Sequence, residues 1–218
     1  MIIKLLLIMN ILLTVYGYEM IMLKENNHLY VTGEINNDLY KVFMNQSGYI
    51  NNKDIYIYIN SDGGSVSDGN LIIETIRYME NSGHNIYCIA QKAYSMAFHI
   101  LQHCPHRYIT ETSSVMQHQI SFDLPRMNLE NAKSYLTMIE RLYDQIMRSS
   151  SERIKMPENK FKELCNNDWW IYGQDIIDTN IADKMVSIGC DKELIKKKIL
   201  YMNENDIIMM RSGCPLLH

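Results

Sequence analysis

At 218 residues, 47% of them hydrophobic and 21% charged, the chain has the composition of one globular domain with a sizeable core, which excludes intrinsic disorder. A formal net charge of −4 gives no electrostatic reason to expect nucleic acid as a partner. The five cysteines are odd in number and scattered with no C-x-x-C pair, which argues against a disulfide framework or a zinc ribbon.

In chain order, Lys4 precedes an apolar run over residues 5–15 that ends in Tyr16-Gly17. Residues 1–17 therefore read as a signal-like leader, too short to span a membrane. A buried N-terminal segment, or a start at Met20 or Met22, is the alternative to this targeting reading, so the compartment stays open. Residues 28–35 are a strand broken at Gly33, and residues 37–44 a short helix. Residues 54–60, β-branched and aromatic, suit a strand covered on both faces of a mostly parallel sheet. A turn at Ser61-Asp62-Gly63-Gly64 leads into a helix over 65–79, where Val66, Gly69, Ile72, Ile73, Ile76 and Met79 recur at helical spacing. Residues 85–90 form the next strand, and Ser95 opens a helix that Pro105 stops.

Two short strands follow, at 107–110 and 114–118, completing a β-α-β rhythm that predicts an α/β fold built of crossovers. Over 129–153 an apolar stripe from Leu129 to Met147 predicts one long helix. It either projects towards another chain or lies on the sheet as a core helix. Shorter helices are predicted at 158–165 and 174–182. The run Lys196-Lys197-Lys198 reads as a solvated face, and residues 203–218 form a tail of unknown role. The organisation is thus a leader at 1–17, one domain at 18–202 and that tail.

Several residues carry chemistry, each weakly by itself. Gly63-Gly64, between a buried strand and a helix, places backbone N–H groups where an anion or a developing oxyanion can bind. It has neither the lysine of a phosphate-binding loop nor the three spaced glycines of a dinucleotide turn. A serine at a helix start, such as Ser95, is most often an N-cap. A lone His118 is most often a buried, hydrogen-bonded histidine, and a lone Asp168 a cap or turn residue. His99, His103, Cys104 and His106 crowd together, but no partner half-site follows at metal-finger spacing, so they read as structural.

What joins these residues is their order. The segment 54–69, running Asp-Ile-Tyr-Ile-Tyr-Ile-Asn-Ser-Asp-Gly-Gly-Ser-Val-Ser-Asp-Gly, and Ala93-Tyr94-Ser95-Met96-Ala97 resemble two signature blocks of the ClpP family. These are the proteolytic subunits of ATP-dependent Clp proteases. Residues 31–37, Arg107-Tyr108, the segment 113–119 ending in His118-Gln119, and residues 168–177 with Ile181-Ala182-Asp183 are similar to further blocks. The resemblance covers about residues 29–185. It implies a ClpP/crotonase-like α/β superhelix of β-α-β units with a protruding handle helix at 129–153.

It further implies a serine endopeptidase with Ser95 as nucleophile, His118 as base, Asp168 as the orienting carboxylate, and the N–H groups of Gly64 and Met96 as oxyanion hole. The implied partners are a peptide or unfolded protein substrate, further copies of the chain in a ring that can stack, and a Clp ATPase. No metal or organic cofactor is implied in the chain itself, ATP belonging to the partner ATPase. The family is cytoplasmic or organellar, whereas residues 1–17 point to export. The chain departs from the family at Asp62, where proline is usual, at Tyr94, where a small residue stands and where a large ring narrows the substrate channel, and at Lys92. The lysine opens a Ser–Lys reading of the signal-peptide-peptidase kind, and drift around the triad opens that of a catalytically idle structural subunit.

Overall fold

The computed structural model describes residues 17–203 and 206–217, so the reading of residues 1–16 as leader lies outside the described residues. A seven-stranded sheet organises the chain: β1 (Glu19–Leu23), β2 (His28–Ile35), β3 (Asp54–Gly64), β4 (Asn85–Tyr94), β5 (His106–Gln117), β6 (Trp169–Tyr172) and β7 (Lys184–Cys190). Their spatial order is β1-β7-β5-β4-β3-β2, with β6 beside β5. All neighbours are parallel except β6, which runs antiparallel to β5. The helices are α1 (Asn37–Ser47), α2 (Val66–Asn81), α3 (Met96–Gln102), α4 (Leu129–Arg153), α5 (Glu158–Cys165), α6 (Gln174–Asp178) and α7 (Lys192–Lys196). This is the α/β architecture expected from the sequence, in which crossovers return every strand but β6 parallel to its neighbours.

Side-chain alternation divides the core. Cys88 and Ala90 of β4 point into the large cluster with Phe43, Ile72, Ile76 and Phe98 from the helices. Ile89, between them, points to the opposite face and a smaller cluster with Leu23, Val186 and Leu194. Both faces of the central strands are thus covered, which is why residues 54–60 carry no polar alternation.

The two strands expected at 107–110 and 114–118 are one strand, β5, with a jog in it. Its register against β4 shifts between Ala90 and Lys92, and Ser113 Oγ fills the irregularity by donating to Ala90 O at 2.6 Å while accepting from Thr110 N at 2.7 Å. The polar run Thr110-Glu111-Thr112-Ser113 belongs to this bulge. Before it β5 pairs with β7, and after it with β6, so the jog changes partners as well as direction.

Arg107, only 2% exposed, is held at the start of β5 by Asp183 and by Gln102 Oε1 at 2.8 Å. A buried guanidinium persists only with its donors matched, and removing one partner of such a pair costs about 3–5 kcal/mol. The helix α4 combines both sequence readings. Ile139, Ile146 and Met147 are buried against the domain, while Leu129 and Leu136 in its first half remain exposed.

The cysteine reading is corrected. Cys88 pairs with Cys104 and Cys190 with Cys214, leaving Cys165 as a buried free thiol. Separations of 16 and 24 residues look scattered along the chain, yet the β4–α3 crossover and the C-terminal return bring each pair to Cα distances of 6.0 and 5.9 Å. The stretch read as a tail begins inside a hairpin, β8 (Lys198–Asn203) with β9 (Asp206–Ser212), which the second disulfide closes back onto β7.

Candidate active site

The site forms where β3, β4 and β5 end together, as parallel strands require. At the end of β3, Ser61 Oγ donates to Gly33 O and accepts from Gly63 N at 3.1 Å, which locks the turn. Gly63 has φ +98°, and a Cβ there would stand 2.7 Å from Tyr94 O and 2.8 Å from the Ser95 Cβ. The close approach of two backbones, and not turn conformation alone, demands glycine at 63.

Ser95 follows β4 with φ 55° and ψ −120°, a strained conformation for a residue with a side chain. It stands at the N-cap position of α3 but makes no side-chain cap. Its backbone N–H is pinned to Met116 O at 2.9 Å, and its Oγ lies 2.8 Å from His118 Nε2. The ordinary role of a serine at this position is therefore forgone in favour of the imidazole. With Ser95 donating, His118 carries its proton on Nδ1. At the first position of α3 the Met96 N–H has no partner within the helix, and Gly63 of the neighbouring turn packs close to it.

Asp168 enters through β6. The antiparallel register pairs Gln117 with Trp169, so His118 and Asp168 leave their strands side by side. The loops are also tied by Gln119 Nε2 donating to Asn166 Oδ1 at 2.5 Å. Asp168 is exposed with φ +48°, and among the described residues no hydrogen bond joins its carboxylate to the His118 ring. Of the residues expected from the sequence, then, Ser95 and His118 are in contact, Met96 follows Ser95 at the head of α3, Gly64 ends β3 next to the glycine that packs on Ser95, and Asp168 stands on the adjacent strand end.

A small cleft opens beside Ser95, lined by Val66, Met96, His99, Tyr143, Ile146 and Met147. Tyr143, Ile146 and Met147 come from α4 and His99 from α3, four residues that sequence reasoning had not attached to the site. The signal was present in the spacing, since His99 stands one turn beyond Ser95 on the same helix face. The departures also find their places. Lys92 Nζ pairs with Asp62 Oδ2 at 2.8 Å, and the two non-family residues therefore compensate each other. Tyr94 turns its hydroxyl to Ser114 Oγ at 2.8 Å and its ring edge-on to Trp170 at 4.9 Å, away from the cleft. Cys104 is in a disulfide and His106 stacks on Tyr87 at 4.7 Å, so the expected histidine-cysteine crowd disperses.

His99 and His103 remain together, with their Nε2 atoms 3.2 Å apart. Burial, then the neighbouring imidazole and Arg77, push His99 down to about 3; burial and then Arg77 push His103 down to about 4. Both depressed values lie below the unfolded value of 6.5, so the unfolded chain takes up protons first as pH falls. Stability is then at its full level above pH 6.5 and drops as the pH descends towards 4, by up to about 1.4 kcal/mol per pH unit for each histidine. Urea unfolding at pH 7 and pH 5 is expected to show that loss in the wild type and a smaller one in His103→Gln; equal pH dependence in both would contradict it.

Comparison with known proteins follows the same residues. A family model described as Clp protease matches residues 15–188. The chain is 25% identical over 164 residues to "ATP-dependent Clp protease proteolytic subunit 3" of Parasynechococcus marenigrum (strain WH8102), covering 73% of this chain and 82% of that protein. It is 24% identical, with the same coverage, to the protein of that name from Synechococcus sp. (strain CC9605). The matched span runs from before β1 into β7 and contains every site residue named above; the chain belongs to the Clp protease family.

Proposed function

We propose that this chain is a serine endopeptidase that cuts peptide bonds through a Ser95–His118–Asp168 triad and an acyl-enzyme. The observation that carries the reading is the 2.8 Å contact between Ser95 Oγ and His118 Nε2 at a strained elbow where no cap bond competes. Ser95 Oγ attacks the scissile carbonyl carbon while its proton passes to His118 Nε2. The carbonyl oxygen becomes an oxyanion facing the N–H groups of Gly64 and Met96. Collapse expels the amine, which takes the proton from His118, and water repeats the sequence to release the acid. Asp168 closes onto the His118 Nδ1–H in the reactive complex and balances the imidazolium as it forms; its position beside His118 in the β5–β6 register supports this role.

The substrates are peptides or unfolded proteins, cut within an oligomeric chamber. The exposed apolar residues Leu129, Leu136 and Met138 on α4 support a helix that packs against further copies. A Clp ATPase is the partner that the family membership favours, and the relatives' names associate them with ATP dependence. Against the Ser–Lys alternative, the Lys92 ammonium is committed to Asp62. Against an idle subunit, the serine and its base are both present and in contact.

Fluorophosphonate labelling tests the reading. Labelling is expected in the wild type and in Lys92→Ala, and is expected to vanish in Ser95→Ala. Labelling that survives Ser95→Ala, or that requires Lys92 and not His118, would sink it.

A further inference from the structure

Behind the nucleophile lies a line of polar groups that the acyl-transfer chemistry does not use. Arg77 of α2 places a guanidinium nitrogen 3.4 Å from His103 Nδ1. His103 Nε2 lies 3.2 Å from His99 Nε2, and His99 Nδ1 lies 3.1 Å from Ser150 Oγ of α4. His99 is 4% exposed and Ser150 fully buried. A guanidinium can only donate, so His103 Nδ1 accepts and its ring proton sits on Nε2. That N–H is given to His99 Nε2, which puts the His99 proton on Nδ1, where Ser150 Oγ accepts it. Both tautomers follow from one arginine, and the chain of bonds runs one way from the surface to the last turn of α4.

The surroundings hold this direction in place. Glu74 engages the Arg77 guanidinium at 2.7 Å, and Arg153 of α4 is spent on the carbonyls of Cys104 and Pro105 at 3.0 and 2.8 Å. A proton added to either imidazole sets two donors against each other, so only the neutral pair completes the line. The positions it joins are also specific. His99 is one turn beyond Ser95, and Ser150 is one turn beyond Ile146 and Met147, which wall the cleft. Apolar contacts between helices tolerate small slides, whereas directed hydrogen bonds in a buried setting fix one register.

We propose that His99 and His103 are positioning residues, which through Ser150 hold the cleft wall of α4 in register with the nucleophile helix α3, and so set where a substrate side chain lies relative to Ser95. The proposal rests on the serine-peptidase reading above.

The test uses the full chain with two readouts. One is kcat/KM for a fluorogenic peptide carrying a leucine before the scissile bond. The other is the rate at which a small alkyl fluorophosphonate, too short to fill the cleft, labels Ser95. Ser150→Ala removes the last acceptor with little change in volume, and His103→Leu removes the middle link without touching the cleft. Each is expected to lower kcat/KM about tenfold by misplacing the substrate, with labelling unchanged. His103→Gln, which keeps one donor and one acceptor, is expected to restore most of the peptide activity. Wild-type peptide activity in Ser150→Ala, or peptide activity and labelling falling together, overturns the proposal. Should His103→Leu fail to fold, Ser150→Ala decides. A wild-type protein that neither labels nor cleaves overturns instead the peptidase reading.

Discussion

His118→Ala is expected to lower peptide hydrolysis on the order of 10⁴- to 10⁶-fold, because a serine hydroxyl without a base is a poor nucleophile and triad members act as a unit. Among the described residues the imidazole is the side chain that hydrogen-bonds Ser95 Oγ, and no second base shares that bond. Asp168→Asn is the sharper member of the pair. The carboxylate is exposed and stands on the adjacent strand end without a hydrogen bond to the ring among the described residues. If it closes onto Nδ1 once substrate is bound, as catalytic hydrogen bonds often tighten only in the reactive complex, the amide should hold the wrong tautomer and cost about 10⁴-fold. Its exposure means that thermal stability should not move. Steady-state hydrolysis with a parallel thermal melt checks both. An Asp168→Asn enzyme with wild-type turnover would remove the aspartate and leave a Ser–His pair.

Gly63→Ala should damage fold and site together. An alanine at φ +98° pays the left-handed penalty of about 1–2 kcal/mol. Its Cβ would also stand 2.8 Å from the Ser95 Cβ and 3.1 Å from the Met96 N, an overlap of the overpacking kind that costs a further 1–3 kcal/mol or about that. The neighbours that must yield are the backbone of Tyr94 and Met96 and the Cβ of Ser95, so the nucleophile and the proposed oxyanion donor Met96 move together. A fall in melting temperature of roughly 5–15 °C with loss of fluorophosphonate labelling is expected. Gly83→Ala is the control, since Gly83 has φ +96° with nothing near the added carbon. It should show the conformational penalty alone and keep full labelling. If both variants behave alike, the close approach at 63 is not what requires glycine there.

Much of the architecture was readable from local pattern. The helix at 129–153 and the helix at 158–165 follow from apolar spacing and from Pro157, and the bounds of α4 and α5 agree with that reading. The misreadings have a common cause. The β5 jog looked like a loop because Ser113 satisfies backbone groups that sequence alone leaves unpaired. The cysteines looked scattered because their pairing depends on crossovers and not on spacing. Helix α6 ends at Asp178, before the expected residue 182, because Asn180 adopts φ +60° and gives its side chain to Ile154 O at 3.0 Å.

By itself the sequence determined the alternation of strand and helix from β2 to β5, the glycine turn before α2, and the order in which serine, histidine and aspartate appear, because these are written in local periodicity and in single residue types, whereas β1, β6 and β7 went unread. Only the tertiary structure decided that Ser95 turns from capping to the imidazole, that Lys92 is neutralised by Asp62, and that α4 walls the cleft through Ile146 and Met147. Each of those outcomes depends on which strand ends lie side by side, and parallel pairing across crossovers is a long-range property that no window of neighbouring residues contains.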